Sequence, residues 1–360
     1  MHATTFESIK FVFQVTSVIF SWLINSFLIY LILTKSTSKM GNYRHLMIYF
    51  CCFSILFSTL DIIVQPNIHT YKSAFFMIMD YKNRGIPLWM AEVLICLMCG
   101  CFGMTIYGIA VHFIYRLFAL ERFSSKFHTT HVLISFRKGR LQFFQEKYLF
   151  FWLLIPFIGG AAWFSACFTV FSMDPMKTDY VRQTTKEFFD LNIDNCVYAG
   201  AAFYPLDKNG TTVISTRSFI GFSLFLVVML IPFAIVIYAG IKSYFIIRAL
   251  LKQGETRYAK NLQMQLYKAL VAQTLISIFF LFIPFGTIFV LPIFEINCQF
   301  LTAPITFIYA LYPAIDPLPI LFFVDYYRIV VSNLFNRIRC KNSRVGIYEE
   351  EPASSNNGRT

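Results

Sequence analysis

The sequence predicts an all-α membrane protein, a bundle of seven transmembrane helices. Three observations carry that prediction. Apolar residues make up 57% of the 360 residues and charged residues only 14%, against about 25% charged in soluble domains. The apolar residues fall into seven runs, each near the ~20 residues that a helix needs to cross a ~30 Å hydrocarbon core. The basic residues then gather in the segments on one side of those runs.

The runs are Phe11–Leu33, Leu46–Val64, Met90–Ala119, Tyr148–Phe171, Phe219–Ile247, Ala269–Phe294 and Phe300–Val324. The first is too long for a signal-peptide core and is followed by no small-residue cleavage site, so it is expected to stay as the first span. After the second comes Ala74–Met79 (AFFMIM), too short to span and read as packed loop. The stretch Tyr326–Ile338 (YYRIVVSNLFNRI) places Ile329, Val330, Leu334 and Ile338 at helical spacing. It reads as a short helix on the inner membrane surface, with Arg328 and Arg337 free to snorkel. Residues 1–340 thus form one domain, and the polar stretch 341–360 is expected to be disordered.

Seven spans put the termini on opposite sides. With the N-terminus outside, the inner segments take Lys35, Lys39 and Arg44, then Arg137, Lys138 and Arg140, then Arg248, Lys252, Arg257, Lys260 and Lys268, and finally the basic residues of the tail. The positive-inside rule favours that orientation. The net charge of +12 therefore faces anionic lipid and a cytoplasmic partner, not nucleic acid. The sequon Asn209-Gly210-Thr211 falls in the long loop after the fourth span, which is then extracellular and open to glycosylation. Cys340, just after the surface helix, is a candidate for palmitoylation, with an unmodified thiol as the alternative.

Among nine cysteines, Cys51, Cys52, Cys96, Cys99, Cys101 and Cys167 lie in apolar runs and read as small hydrophobes. The single C-x-x-C of Cys96 and Cys99 sits in a helix-like run, and His128 and His131 lie in a basic loop. Neither suggests a metal site, and no cofactor is expected. The sequence has no H-E-x-x-H, no facing pair of aspartates and no Ser/His pair at one depth, so no enzyme is expected.

The residues that stand out are ionisable groups inside the spans, where each costs about 2.5–3.5 kcal/mol on the insertion scale. They are Asp61, Arg116, Lys242 and Asp316. At ~1.5 Å per residue, Asp61 lies roughly 5 Å and Asp316 roughly 24 Å from the outer end of its span. The two acids are therefore not neighbours. Asn25, at roughly 21 Å, is the expected hydrogen-bond partner of Asp316. Pro317 cannot donate to the carbonyl of Pro313, nor Pro319 to that of Ile315, and freed carbonyls in lipid need other donors. Asp316 is placed to help. The seventh span is then either a hinge with a movable inner half or a static kink. Pro156, Pro232 and Pro284 make similar weak points in spans four, five and six. Arg116, near the inner end of span three, reads as an interfacial cation or a snorkelling one.

Four stretches together resemble a known family: LMIYFCCFSILFSTLDIIVQPNIHTYKSAFF, VHFIYRLFAL, LQMQLYKALVAQTLISIFFLFIPFG and LYPAIDPLPILFFVDYYR. They resemble the nematode seven-transmembrane chemoreceptors of the serpentine receptor class r (Str) type, from about Asn25 to Cys340. The most specific block is Gln263–Arg328. The resemblance implies a chemosensory (odorant) receptor in the plasma membrane of sensory cilia, coupled to a heterotrimeric G protein. A more distant similarity to rhodopsin-like G-protein-coupled receptors matches Asn25 in the first span, Arg116 closing the third and Asp316-Pro317 in the seventh. Tyr115 stands where an acid normally precedes the arginine, and Ile320 where a tyrosine is expected. Cys96 lies about a turn too deep for the usual disulfide, leaving Cys196 to pair with Cys298 or Cys96 or to stay free.

On that resemblance a small, mostly apolar ligand enters an outer-half pocket between spans three, five, six and seven, with Asp61, Phe222, Phe225, Phe289 and Phe307 as candidate contacts. Asn25, Pro284, Tyr312, Asp316 and Pro317 form the expected activation network. Tyr115, Arg116, Lys242 and Lys268 face the G protein. The alternative is a sensory seven-span channel or a transporter. The Lys/Arg asymmetry opposes the first, and the lack of paired half-repeats opposes the second.

Overall fold

A computed structural model describes residues 3–35, 40–125, 146–207, 210–252 and 257–345. Six of its helices are long and apolar enough to cross a membrane, and a shorter apolar helix, Gln299–Ile315, completes a seven-helix bundle. In chain order the helices are α1 (Ala3–Lys35), α2 (Tyr43–Val64), α3 (Leu88–Ser125), α4 (Glu146–Thr169), α5 (Pro175–Phe189), α6 (Thr216–Lys252) and α7 (Arg257–Ser277). Then come α8 (Ile283–Val290), α9 (Gln299–Ile315), α10 (Leu318–Phe323) and α11 (Asp325–Val345). Strands β1 (Asn67–Tyr71), β2 (Ala74–Asp80) and β3 (Cys196–Ala202) form one antiparallel sheet in the order β1-β2-β3. The sheet covers one end of the bundle, called here the sheet end.

The sheet corrects the reading of Ala74–Met79 as loop. Successive strand residues point to opposite faces. Phe75, Met77 and Met79 join the core of the bundle, while Ala74, Phe76 and Ile78 pack against Val181 of α5. A strand buried on both faces is apolar at every position, so six unbroken apolar residues suit it. The hairpin turns at Lys72 and Ser73, between the paired Tyr71 and Ala74. Lys72 takes the left-handed φ of 45° that such a tight turn needs. Opposite Phe76 lies Gly200. A Cβ there would come within 2.4 Å of the Phe75 carbonyl oxygen, so only glycine allows the two strands to close.

Helix α2 stops where Gln65 turns left-handed (φ 46°), just before Pro66. Arg84 caps it, donating to the carbonyls of Val64 (2.9 Å) and Ile63, a cation at a helix C-terminus. Helix α5 starts in a regular way. Asp174 accepts from Lys177 N at 2.9 Å, and Pro175 fills the first turn. Lys177 then reaches the Ser172 carbonyl at 2.6 Å and pairs with Asp174 at 3.1 Å.

In the bundle, α3 and α4 pack closest. A Cβ on Gly103 would lie 2.1 Å from Trp163, and one on Gly159 would lie 2.3 Å from Tyr107. Small residues at such crossings let backbones approach, the usual way membrane helices associate. The sixth span is not one α-helix. A single wide π turn, Ile278–Phe282, joins α7 to α8, just before Pro284. Proline lacks the N–H and clashes with the carbonyl four residues back, and a wider turn relieves both problems. The seventh span breaks at Asp316–Pro317 into α9 and α10. The helix that follows it, α11, runs Asp325–Val345, longer than the 326–338 expected.

Candidate functional site

Beneath the sheet, α3, α4, α8 and α9 surround a cavity of ≈ 50 Å³. Its walls are nearly all apolar and aromatic. Phe102 of α3 meets Phe285 at 5.4 Å between ring centroids, and Phe285 meets Tyr309 at 5.1 Å. Phe289 lies 3.9 Å from Phe75 of the sheet. Two of the lining residues, Trp163 and Tyr309, each carry one polar N or O side-chain atom. Trp163 Nε1 and Tyr309 Oη are buried, and neither has a hydrogen-bond partner among the described residues.

The ligand candidates named from sequence divide around this cavity. Phe289 lines it. Phe225 stands directly behind, stacked on Phe289 at 4.7 Å and 4.7 Å from Trp163. Phe222 is one layer further out, against Phe203 and Phe225. Phe307 points elsewhere, to Phe6 and Phe13 of α1. Asp61 also faces α1, where Gln14 donates to it at 3.1 Å. Cavity residues such as Trp163 and Tyr309 went unnoticed because they lie in fully apolar runs. There every position reads alike.

One turn below Tyr309 begins a polar network. Tyr312 Oη lies 3.0 Å from Ser277 Oγ of α7 and donates to Asp316 Oδ1 at 3.3 Å. Gln273 of α7 donates to the Asp316 carbonyl at 3.0 Å. Asn25 does not bond the Asp316 side chain as expected. Its amide donates to the Pro313 carbonyl at 3.0 Å and to the Ser21 carbonyl at 2.9 Å. The carbonyl that Pro317 leaves without a helical donor is therefore filled by Asn25, not by Asp316. Pro284 stands outside this network, at the start of α8.

The third cluster lies at the opposite end of the bundle. Arg116 neither snorkels nor sits at an interface: it is 2% exposed. Its Nη1 donates to Gln263 of α7 at 2.9 Å, and its guanidinium lies 3.7 Å from the centre of the Tyr43 ring, a cation–π contact. Tyr115 stacks on the same tyrosine at 5.3 Å. With no acid before the arginine, a glutamine and an aromatic ring hold it instead. Lys242 forms an ion pair with buried Glu121 at 2.7 Å, a partner the sequence reading missed, and Lys268 is exposed. Gln265 receives the backbone N–H of Asp325 at 3.1 Å. Gln263, Gln265 and Gln273 thus tie one helix to α3, α11 and the α9–α10 break. All three lie in the motif QMQLYKALVAQTL, whose unusual glutamines in an apolar run were the available signal.

The cysteines Cys96, Cys196 and Cys298 are free, and no disulfide forms among the described residues. No three His, Cys, Asp or Glu side chains stand together as a metal site among them. Asn209, His128 and His131, and the side chain of Cys340 lie outside the described residues.

A buried arginine closing the third span, a break at Asp316-Pro317 in the seventh and an aromatic cavity beneath the sheet give the geometry of a seven-helix receptor. The family described as serpentine type seven-transmembrane G-protein-coupled chemoreceptor Str matches residues 10–332. The chain belongs to this family. Serpentine receptor class r-10 of Caenorhabditis briggsae is 28% identical over 318 residues, 88% of this chain and 87% of the relative. The G-protein coupled receptor str-217 of Caenorhabditis elegans is 26% identical over 309 residues, 85% and 84% of the two chains. Serpentine receptor class J-38 of Caenorhabditis elegans is 24% identical over 336 residues, 88% and 90% of the two. This Str-family chain is therefore a multi-pass, G-protein-coupled chemosensory receptor, of a family of receptors and not of enzymes; the channel or transporter alternative is not favoured.

Proposed function

We propose that this Str receptor binds a small odorant-like molecule in the cavity beneath the sheet and passes the signal to a heterotrimeric G protein at the opposite end. The observation that carries the reading is the position of Tyr309. It lines the cavity, and one turn further along α9 Tyr312 bonds both Ser277 and Asp316. Ligand contact at α8 and α9 thus lies one helical turn from the break in the seventh span. Only a ligand that binds one arrangement of the bundle better than another shifts the population. The arrangement it shifts is set by weak points at the π turn with Pro284 and at Asp316-Pro317, where the helices lack regular hydrogen bonds.

In this reading the sheet end is extracellular and the C-terminus cytoplasmic, as the Lys/Arg distribution favours. The receptor works at the plasma membrane, in the sensory cilium of a chemosensory neuron. Movement of α7 separates Gln263 from Arg116 and opens a cleft bordered by Tyr115, Arg116, Lys242 and Lys268. A helix of the G protein docks there. Asn209, in the outer loop, carries a glycan, and Cys340 a lipid.

The test is to fill the cavity. Ile288→Trp places an indole in a space too small for both it and a ligand. The variant is expected to reach the cell surface at wild-type level and to lose its odorant response in a reporter assay. A full response at equal surface level would move the ligand site elsewhere.

A further inference from the structure

We infer that Met77, Cys99 and Cys167 form a binding site for a soft monovalent metal ion of the copper(I) class, which fastens the sheet to α3 and α4. The inference goes beyond the odorant reading and does not rest on it. Met77 belongs to β2, Cys99 to α3 and Cys167 to α4, and all three line the space beneath the sheet. Cys99 Sγ donates to Met77 Sδ across 4.0 Å. Two sulfurs that each bind one ion at ~2.3 Å, the zinc–thiolate length, and at trigonal angles stand ~4.0 Å apart. The pair already has the spacing that a shared ion needs.

The helix crossing supplies the third sulfur. Facing positions on α3 and α4 run in opposite directions. A Cβ on Gly159 would meet Tyr107, one on Gly160 would meet Met104, and one on Gly103 would meet Trp163. Residues four apart share a helix face, so one turn beyond Gly103 and Trp163 come Cys99 and Cys167. The two interact, and both thiols are free. Cys96, the other member of the C-x-x-C, does not line the space. The set has no linear spacing to betray it, because its members lie on three elements and one is a methionine.

The donor atoms select the ion. Thiol and thioether sulfurs are soft ligands and favour copper(I). The lining has no carboxylate for calcium or magnesium, and no histidine to complete the four ligands of zinc. The thiolate is the form that binds metal. The ion takes the place of the thiol proton between Cys99 and Met77: the S–H bond breaks, a metal–sulfur bond forms, the proton leaves to water and copper stays in the +1 state. One proton released per monovalent ion keeps the site neutral. The walls require that, since they hold no Lys or Arg to balance a second thiolate.

The experiment uses the full-length receptor, purified in detergent and kept under ascorbate without oxygen. It is titrated with copper(I) against bathocuproine disulfonate, with zinc(II) as the second probe. The receptor is expected to bind copper(I), to melt at a higher temperature once loaded, and to show only sulfur neighbours in the X-ray absorption of the ion. Met77→Leu conserves volume and should weaken binding at least about tenfold. Cys99→Ser and Cys167→Ser should each weaken it at least as much. Cys52→Ser, at an exposed thiol outside the lining, should leave it unchanged. No copper(I) binding, tighter binding of zinc, nitrogen or oxygen neighbours around the bound ion, or loss of binding in Cys52→Ser overturns the inference. So does an affinity that Met77→Leu leaves at the wild-type value, a result that stands even where a serine variant fails to fold.

Discussion

Asn25 shows how a single side chain makes an irregular helix tolerable in lipid. Pro317 cannot donate to the Pro313 carbonyl, and no water is at hand inside a bilayer. The two amide hydrogens of Asn25 serve Pro313 of α9 and Ser21 of α1, so the proline break also staples the first helix to the seventh. Asn25→Leu leaves a buried carbonyl unpaired. The expected loss is about 1–3 kcal/mol, seen as a lower melting midpoint of the purified receptor. A midpoint equal to wild type would mean that another donor replaces the amide.

At the scale of elements, the sheet and α5 act as one lid, and His69 is the pin between them. Thr184 Oγ1 donates to the Val181 carbonyl at 3.1 Å. It therefore accepts from His69 Nε2, 2.9 Å away, which leaves His69 Nδ1 bare and unpartnered among the described residues. The rings of Phe188 and Phe189 flank the imidazole at 5.8 Å and 5.5 Å. Burial pulls the imidazole down to about 4. An undocked His69 titrates near ~6.5. Above that value both forms are neutral and the lid keeps its full stability. As pH falls from about 6.5 to about 4 the released lid takes up a proton that the docked lid refuses, so docking weakens. Amide hydrogen exchange in β1 and α5 should therefore speed up, beyond the intrinsic pH effect, between pH 7 and pH 5. His69→Gln should flatten that dependence. An identical profile in the variant would show that His69 does not control the lid.

Across the whole molecule, what the sequence revealed and what it hid have the same cause. Seven apolar runs stand out against polar loops, and Asn25, Arg116 and Asp316 stand out as polar residues in apolar surroundings. Those contrasts are what periodicity and composition detect. AFFMIM was misread because a strand buried on both faces has no polar face to betray its period. Trp163 and Tyr309 were missed for the same reason. The partner of Asp316 was also misjudged, because depth along a span ranks residues by height and says nothing about which way each helix is turned.

That rotational phase is where the π turn of the sixth span matters most. Gln273, Ser277, Leu281, Phe285 and Phe289 follow one another in steps of four, and all face the interior. In a regular α-helix each step of four overshoots a full turn by about 40°, so four steps would carry Phe289 about 160° away from Gln273. The wide turn at Ile278–Phe282 absorbs one extra residue, about 100° of rotation, and brings it back. The glutamine that holds Asp316 and the phenylalanine that walls the cavity therefore share one stripe on one shaft. A twist of that shaft moves both. Deleting lipid-facing Phe279 would restore a regular helix with the same two faces still aligned. Such a receptor is expected to bind its ligand as before, with signalling lost because the shaft no longer turns at that point; signalling that persists would place the motion elsewhere.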